Sequence, residues 1–112
     1  LLEYIFRSVI MRTIANLLNL DGRVCVYVPS KNIRRLFLKN AGDEGFMFAG
    51  GVKPTRRRAY DDIYALNKDF TLNFVGSIGH IAFHHPDYFD NDKLIRIDHS
   101  AYLSGAENYI VK

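Results

Sequence analysis

The sequence predicts a single α+β domain over residues 1–112, with a mixed or mainly antiparallel sheet of about five strands and two helices on one face. Three observations support this fold class. A chain of 112 residues is long enough for one hydrophobic core. Hydrophobic residues make up 48% and charged residues 24%, which is typical of a globular protein and not of a disordered one. Short β-branched and aromatic runs alternate with only two stretches of helical periodicity.

The first helix is predicted over residues 1–18, where large apolar residues recur at steps of three and four. They are Leu2, Ile5, Phe6, Val9, Ile10, Ile14, Leu17 and Leu18. Met11 would make a natural start, so residues 1–10 are either an extension or native, and the stripe predicts helix in both cases. The stripe is wider than a lone small domain needs, which predicts a homodimer contact through this helix.

The next segments predict a strand, a helix and a second strand. Residues 23–28 form a short run of β-branched and apolar residues, as in a buried strand. Ser30 is suited to cap a helix over residues 31–41, and Gly42 is suited to end that helix. A strand is predicted at residues 46–49, and the strand–helix–strand order indicates a right-handed crossover between parallel strands.

A β-hairpin is predicted where residues 62–66 and 70–75 flank the turn Asn67-Lys68-Asp69. Phe70 stands where glycine would be the easier turn residue, so a wider turn is expected.

The C-terminal third contains one ambiguous run and one clear strand. Residues 80–84 fit a strand or a helix, and the short length of the run before Pro86 favours a strand. Residues 94–98 predict the last strand, and residues 99–112 a short tail held down by its apolar side chains.

Charge is unevenly distributed along the chain, whose net charge is +3. Residues 31–58 carry eight bases against two acids, a net of +6, whereas residues 59–112 have a net of −4. A basic segment of this kind can neutralise phosphates, although no nucleic-acid-binding motif accompanies it and a solvated charge run is the more frequent explanation. The candidate nucleic-acid-binding residues are Lys53, Arg56, Arg57 and Arg58, with Arg34 and Arg35 as a second bank.

Three of the four histidines fall within residues 80–85. His80 and His84 are four apart and share a side of either a helix or a strand, and Asp98 or His99 could add a ligand from a neighbouring strand. The same residues could supply general acid–base chemistry beside an arginine. The glutamate of a His-Glu-x-x-His zinc site is missing, since Ile81 stands there. We therefore expect no metal and no cofactor, with His80, His84 and Asp98 as the alternative metal set.

The composition also bears on the cellular compartment. The single cysteine, Cys25, cannot form an internal disulfide and lies in an apolar run, which favours a reducing, cytoplasmic environment. No apolar run approaches the ~18–20 residues that a membrane-crossing helix needs, so no membrane partner is expected.

Several short motifs resemble those of a group of short proteins from Gram-positive gut bacteria that are often carried on mobile elements. The matching pieces are residues 20–26, 44–48, 51–55 and 95–98, with Asn73-Phe74-Val75-Gly76 and Gly79-His80. The resemblance covers roughly residues 12–105 and implies a bacterial cytoplasmic protein. It implies no biochemical activity, because none is attached to the group.

These observations favour a small non-enzymatic binding or accessory protein of a bacterial mobile element, with nucleic acid or another protein as its partner. The alternative is a small histidine-dependent phosphodiesterase or metal-binding protein that uses His80 and His84. The residue pattern leaves the partner open, because neither the basic segment nor the histidine cluster completes a known motif.

Overall fold

Five strands form one mixed sheet, and α-helices pack on both of its faces. The computed structural model describes residues 12–56, 61–88 and 93–111. Its strands are β1 (Arg23–Tyr27), β2 (Met47–Phe48), β3 (Ile63–Leu66), β4 (Thr71–Phe74) and β5 (Leu94–Asp98). Its α-helices are α1 (Lys31–Asp43), α2 (Gly76–His84) and α3 (His99–Leu103). The predicted α+β class with a mixed sheet is confirmed.

The strand order in the sheet is β2-β4-β3-β1-β5. The predicted hairpin is present, because β3 and β4 are antiparallel neighbours, and β3 is also antiparallel to β1. The two outer strands run parallel to their neighbours, β2 beside β4 and β5 beside β1. Strands β1 and β2 therefore point the same way, as predicted, but the β3–β4 hairpin lies between them.

Most of the core lies on one side of the sheet, called here the first face. There α1 and α3 contact each other and cover alternate side chains of the strands. The core on this face includes Val24, Val26, Leu66, Leu72 and Ile97 from the strands, and Phe37, Leu38, Ala41 and Tyr102 from the helices. The opposite, second face carries α2, whose Phe83 packs on Cys25 and Ile63. Of the predicted helix pair, the helix over residues 31–41 is present, and its α-helical companion on the first face is α3.

The predicted N-terminal helix lies mainly outside the described residues, because residues 1–11 are not among them. Within its described part, Ala15–Asn19 form a 3-10 helix, and Ile14 and Leu17 are buried in the core. The Glu44 carboxylate accepts hydrogen bonds from the backbone N–H groups of Ile14 (2.9 Å) and Ala15 (2.8 Å). This carboxylate satisfies N–H groups at the start of the 3-10 helix and attaches the segment to the end of α1.

The predicted strand at residues 80–84 is wrong, because these residues belong to α2. A short apolar run fits a strand or a helix equally well, and packing decides between them. Here the chain leaves β4 at the end of the hairpin, and a helix lets Phe83 reach Cys25 and Ile63 on the second face.

Two smaller predictions also need correction. The helix α1 continues past Gly42 to Asp43, and Gly45 (φ 98°) takes the left-handed conformation that follows the helix. The C-terminal tail begins as the helix α3, with the Asp98 carboxylate accepting a hydrogen bond from the Ala101 N–H (3.3 Å). Beyond α3 the chain returns along β5, where Ile110 bridges Ile97 and covers the sheet edge. In the described part of the chain, no helix is both long enough and apolar enough to cross a membrane.

Candidate metal site

The hairpin and α2 bring two aspartates to His80. Tyr64 pairs with Phe74 in the hairpin, so the same register extended by two residues leads to Asp62 on one side and to the start of α2 at Gly76 on the other. His80 lies one turn into that helix. The Asp62 carbonyl accepts a hydrogen bond from the Val28 N–H (2.7 Å), which attaches this corner to the end of β1.

Both ring nitrogens of His80 face oxygen atoms. Nδ1 lies 2.7 Å from the Gly76 carbonyl oxygen, and Nε2 lies 3.0 Å from Oδ1 of Asp61 and 3.0 Å from Oδ1 of Asp62. The hydrogen bond to Gly76 raises the pKa of His80, and the two carboxylates raise it further, against a lowering by burial. In its doubly protonated form, the imidazole donates hydrogen bonds to both sides.

The three side chains differ in exposure. The side chain of Asp61 is only 10% exposed and also accepts a hydrogen bond from the Ile63 N–H (3.3 Å), whereas those of His80 and Asp62 are 34% and 35% exposed. One ligand atom from each residue lies within 4.8 Å of the others, and no other trio of His, Cys, Asp or Glu in residues 12–56, 61–88 and 93–111 does so. Asp61 therefore forms the buried side of the site, and His80 and Asp62 form the side that is open to solvent.

The structure does not bring His84 and Asp98 into this group. The His84 ring meets Tyr27 edge-on, with centroids 5.8 Å apart, and the neighbouring His85 ring stacks on Tyr88 at 4.6 Å. Asp98 serves as the cap of α3. His80 and His84 were predicted to share one side of their element, but His84 does not act as a second ligand, because the two rings have different neighbours.

His99, the other third ligand considered from the sequence, is fully buried in the core. Its ring contacts Phe37 edge-on at 5.0 Å, and neither ring nitrogen has a hydrogen-bond partner among the described residues. Burial lowers its pKa to about 4, against an opposing contribution from Asp98. No ligand role follows from this position.

The candidate basic residues lie in three different settings. Arg57 and Arg58 fall outside the described residues. Lys53 and Arg56 are exposed at the 3-10 turn Pro54–Arg56, which packs against α1. The Arg34 guanidinium donates hydrogen bonds to the Val28 (3.1 Å) and Pro29 (2.9 Å) carbonyls, so it holds the chain before α1 in place.

Asp61 and Asp62 were not singled out as ligands in the sequence, where they stand beside the arginine run and balance its charge. The hairpin register could have indicated these aspartates, since it places the residues just before β3 opposite the residues just after β4. The register indicates a site only if residues 76–84 form a helix, because one helical turn after Gly76 brings His80 close to Asp61 and Asp62.

Comparisons with known proteins yield no match: no protein-family model, curated protein or solved structure corresponds to this chain. Function is therefore inferred from the geometry of its own residues.

Proposed function

We propose that this protein binds a divalent metal ion through Asp61, Asp62 and His80, contrary to the expectation from the sequence. The observation that carries the proposal is the convergence of one imidazole nitrogen and two carboxylate oxygens within 4.8 Å. Mixed nitrogen and oxygen ligands suit Zn²⁺, Mn²⁺, Co²⁺ and Ni²⁺, whereas Mg²⁺ and Ca²⁺ favour oxygen ligands alone.

The spacing of the ligand atoms supports this assignment. Two ligands about 2.1 Å from an ion and about 90–110° apart are themselves separated by about 3.0–3.4 Å. His80 Nε2 lies 3.0 Å from an oxygen of each aspartate. An ion therefore requires the loss of the Nε2 proton and side-chain shifts that bring the two aspartate oxygens, which are at most 4.8 Å apart, to a shared ion.

The support behind the histidine also fits a metal ligand. Metal-binding histidines commonly donate their second N–H to a carbonyl or carboxylate, which fixes the tautomer and the ring orientation. His80 Nδ1 is placed for this by the Gly76 carbonyl at 2.7 Å, which leaves Nε2 directed toward Asp61 and Asp62. Three protein ligands leave coordination positions open, so a bound ion would also be accessible to water or to an anionic group.

The first prediction is that the protein, purified without a histidine tag, binds one equivalent of Co²⁺ or Zn²⁺. We expect His80→Ala to weaken this affinity by at least tenfold, because three ligands leave little redundancy. The measurement is isothermal titration calorimetry with Zn²⁺, together with the visible absorption of bound Co²⁺, which reports the coordination geometry.

His84→Ala is the matched control, since His84 lies on the same helix and outside the trio. Asp62→Asn tests a carboxylate, and circular dichroism confirms that each variant is folded. Equal loss of binding in His80→Ala and His84→Ala, or no stoichiometric binding by the folded wild-type protein, would contradict the proposal.

A nucleic-acid partner is the second candidate, favoured by the contact between α1 and the turn Pro54–Arg56. This contact places exposed Lys53 and Arg56 beside the helix that carries exposed Arg35. Phosphate contacts of this kind tolerate any sequence and weaken steeply with salt.

The second prediction is that Lys53→Gln with Arg56→Gln weakens oligonucleotide binding and flattens its salt dependence. Removing one phosphate-binding cation reduces the slope of log affinity against log salt by about 0.7–0.9. Fluorescence anisotropy with short single- and double-stranded oligonucleotides measures both effects. Lys93→Gln, just before β5, is the control with the same kind of charge change, and absence of binding at low salt would remove this candidate.

Three further expectations remain proposals. The single cysteine, Cys25, supports a cytoplasmic location. The motif resemblance supports a bacterial origin on a mobile element. The apolar stripe at the N-terminus supports association with a second copy, or with another protein, through residues 1–18.

A further inference from the structure

A groove crosses the part of the second face that α2 leaves open. It consists of two adjoining cavities of about 280 and 110 Å³, both lined by Arg23, Cys25, Ala65 and Asn73. We call it the sheet groove. The larger cavity extends toward the β3–β4 turn, and the smaller extends under α2.

The sheet groove exists because the residues at the centre of its floor are small. Cys25 on β1 pairs with Ala65 on β3, which pairs in turn with Asn73 on β4. A thiol and a methyl group thus lie side by side where larger side chains would fill the space above the strands.

The larger cavity is polar and positively charged. Arg23 and Lys68 line it together with the amides of Asn67 and Asn73, and no carboxylate in the described part of the chain does. Neither cationic side chain forms a hydrogen bond or ion pair with another residue of the described ranges. The amides are fixed, because the Asn67 side chain donates to the Asn73 side-chain oxygen (2.8 Å).

The smaller cavity is mainly apolar on the side of α2. Val75, Ala82 and Leu94 line it, and Gly79 leaves the space beside them free of a side chain. Gly79 is also required for packing, since an added Cβ would lie 2.5 Å from Cβ of Val75. The sheet groove therefore has a cationic end and an apolar end.

We propose that the sheet groove binds a small organic anion, with its carboxylate or phosphate head at Arg23 and Lys68 and its apolar portion against Ala82 and Leu94. The two cavities together fall near the lower end of the ~300–1,000 Å³ range of ligand sites, which limits the ligand to about one ring. Two cations without a partner among the described residues, over a neutral floor, favour an anion, and bidentate contact from arginine suits both head groups. This site is separate from Asp61, Asp62 and His80.

The test uses the full chain after a chelating resin has removed metal ions, so that a metal-bound anion cannot contribute and no soluble chelator competes for the groove. Phenyl phosphate is titrated into ¹⁵N-labelled protein and compared with phenol and with inorganic phosphate. We expect chemical-shift changes at Arg23, Cys25, Ala65 and Asn73, and tighter binding of phenyl phosphate than of either fragment. Arg23→Gln should weaken phenyl phosphate by about tenfold or more, as expected for the loss of a charged hydrogen bond.

Two variants separate the ends of the groove. Ala82→Leu should weaken phenyl phosphate more than inorganic phosphate, because it fills only the apolar end. Lys39→Gln, at an exposed cation of α1 that lines neither cavity, should leave binding unchanged. Shifts confined to other surfaces, equal binding of phenol and phenyl phosphate, or no binding at millimolar concentration would overturn the proposal, whatever the outcome of the metal titrations.

Discussion

At the scale of single residues, two histidines of this chain occupy opposite environments. His80 is partly exposed, and both of its ring nitrogens face oxygen atoms. His99 is fully buried, and neither of its ring nitrogens has a partner among the described residues. Polar atoms buried without partners are uncommon in proteins and cost stability. The packing around His99, from Phe37 and Tyr102, must offset this cost.

The third prediction is that His99 makes the fold sensitive to acid. Burial lowers its pKa from 6.5 to about 4 in the folded chain, and the nearby Asp98 charge opposes this shift. Between these values the unfolded chain binds a proton that the folded chain does not, so stability falls as pH falls. The loss is about 1.4 kcal/mol per pH unit and roughly 3 kcal/mol in all. His99→Leu should remove it and raise stability near neutral pH.

Urea denaturation of the wild type and His99→Leu at several pH values between 7 and 4 measures the effect. Carboxylates titrate in the lower part of this range in both proteins, so the difference between the two curves isolates His99. His84→Leu, which changes an exposed histidine, is the control. Parallel stability curves for wild type and His99→Leu would show that the buried ring does not cause the acid sensitivity.

At the scale of elements, the β3–β4 hairpin contains an unusual turn residue. Phe70 has a φ of 63°, in the left-handed region that costs most residues other than glycine about 1–2 kcal/mol. Its ring stacks on Phe46, with centroids 4.7 Å apart and planes inclined by 28°. The turn closes with a hydrogen bond from the Phe70 N–H to the Asn67 carbonyl (3.0 Å). The connection between β3 and β4 thus comprises residues 67–70 and includes Phe70. The stacking of Phe70 on Phe46 offsets the backbone strain at Phe70.

The fourth prediction is that Phe70→Gly destabilises the protein less than Phe70→Ala. Both variants remove the ring stacking, which is worth about 0.5–1.5 kcal/mol beyond its buried area, but only glycine also removes the strain. Urea denaturation should give a free energy of unfolding about 1 kcal/mol higher for the glycine variant.

The same pair of substitutions at Met47 is the control, because this residue of β2 is exposed and its backbone does not have a positive φ. There the alanine variant should be the more stable of the two, as in ordinary strands. The same order at both positions would mean that the conformation of Phe70 carries no strain in solution.

At the scale of the whole molecule, the apolar N-terminal stripe divides into two parts. Ile14 and Leu17 are 2% and 1% exposed, because they pack into the chain's own core on the first face. These residues are therefore not accessible to a second copy. Self-association through the predicted helix over residues 1–18 depends on its first ten residues, which lie outside the described ranges.

The fifth prediction is that deleting residues 1–10 reduces self-association and leaves the sheet folded. The deletion removes five large apolar residues of the stripe but spares Ile14 and Leu17. Sedimentation velocity over a range of concentrations measures association, and circular dichroism measures folding. Leu36→Ser, at a leucine of α1 that is 45% exposed, tests whether any apolar surface has the same effect. A wild-type protein that stays monomeric at high concentration would exclude the interface.

Much of the local structure was predictable because it depends on neighbouring residues. Short apolar runs with β-branched residues located β1 and β5, and Asn67-Lys68-Asp69 located the hairpin. Ser30 was correctly predicted to cap α1, where its hydroxyl accepts the Ile33 N–H (3.1 Å). In each case the determining signal, a period or a cap, lies within a few residues of the element that it specifies.

Contacts between residues far apart in the chain depend on tertiary packing, which local sequence does not specify. The run at residues 80–84 became a helix because Phe83 packs on Cys25 and Ile63, and that helix carries His80 to Asp61 and Asp62. The candidate site therefore depends on contacts between residues about 20 positions apart. No single segment of the sequence contains the information that these residues meet. In contrast, the α+β class, the hairpin and the distribution of charge could be predicted without a structure, because they follow from local periodicity and composition.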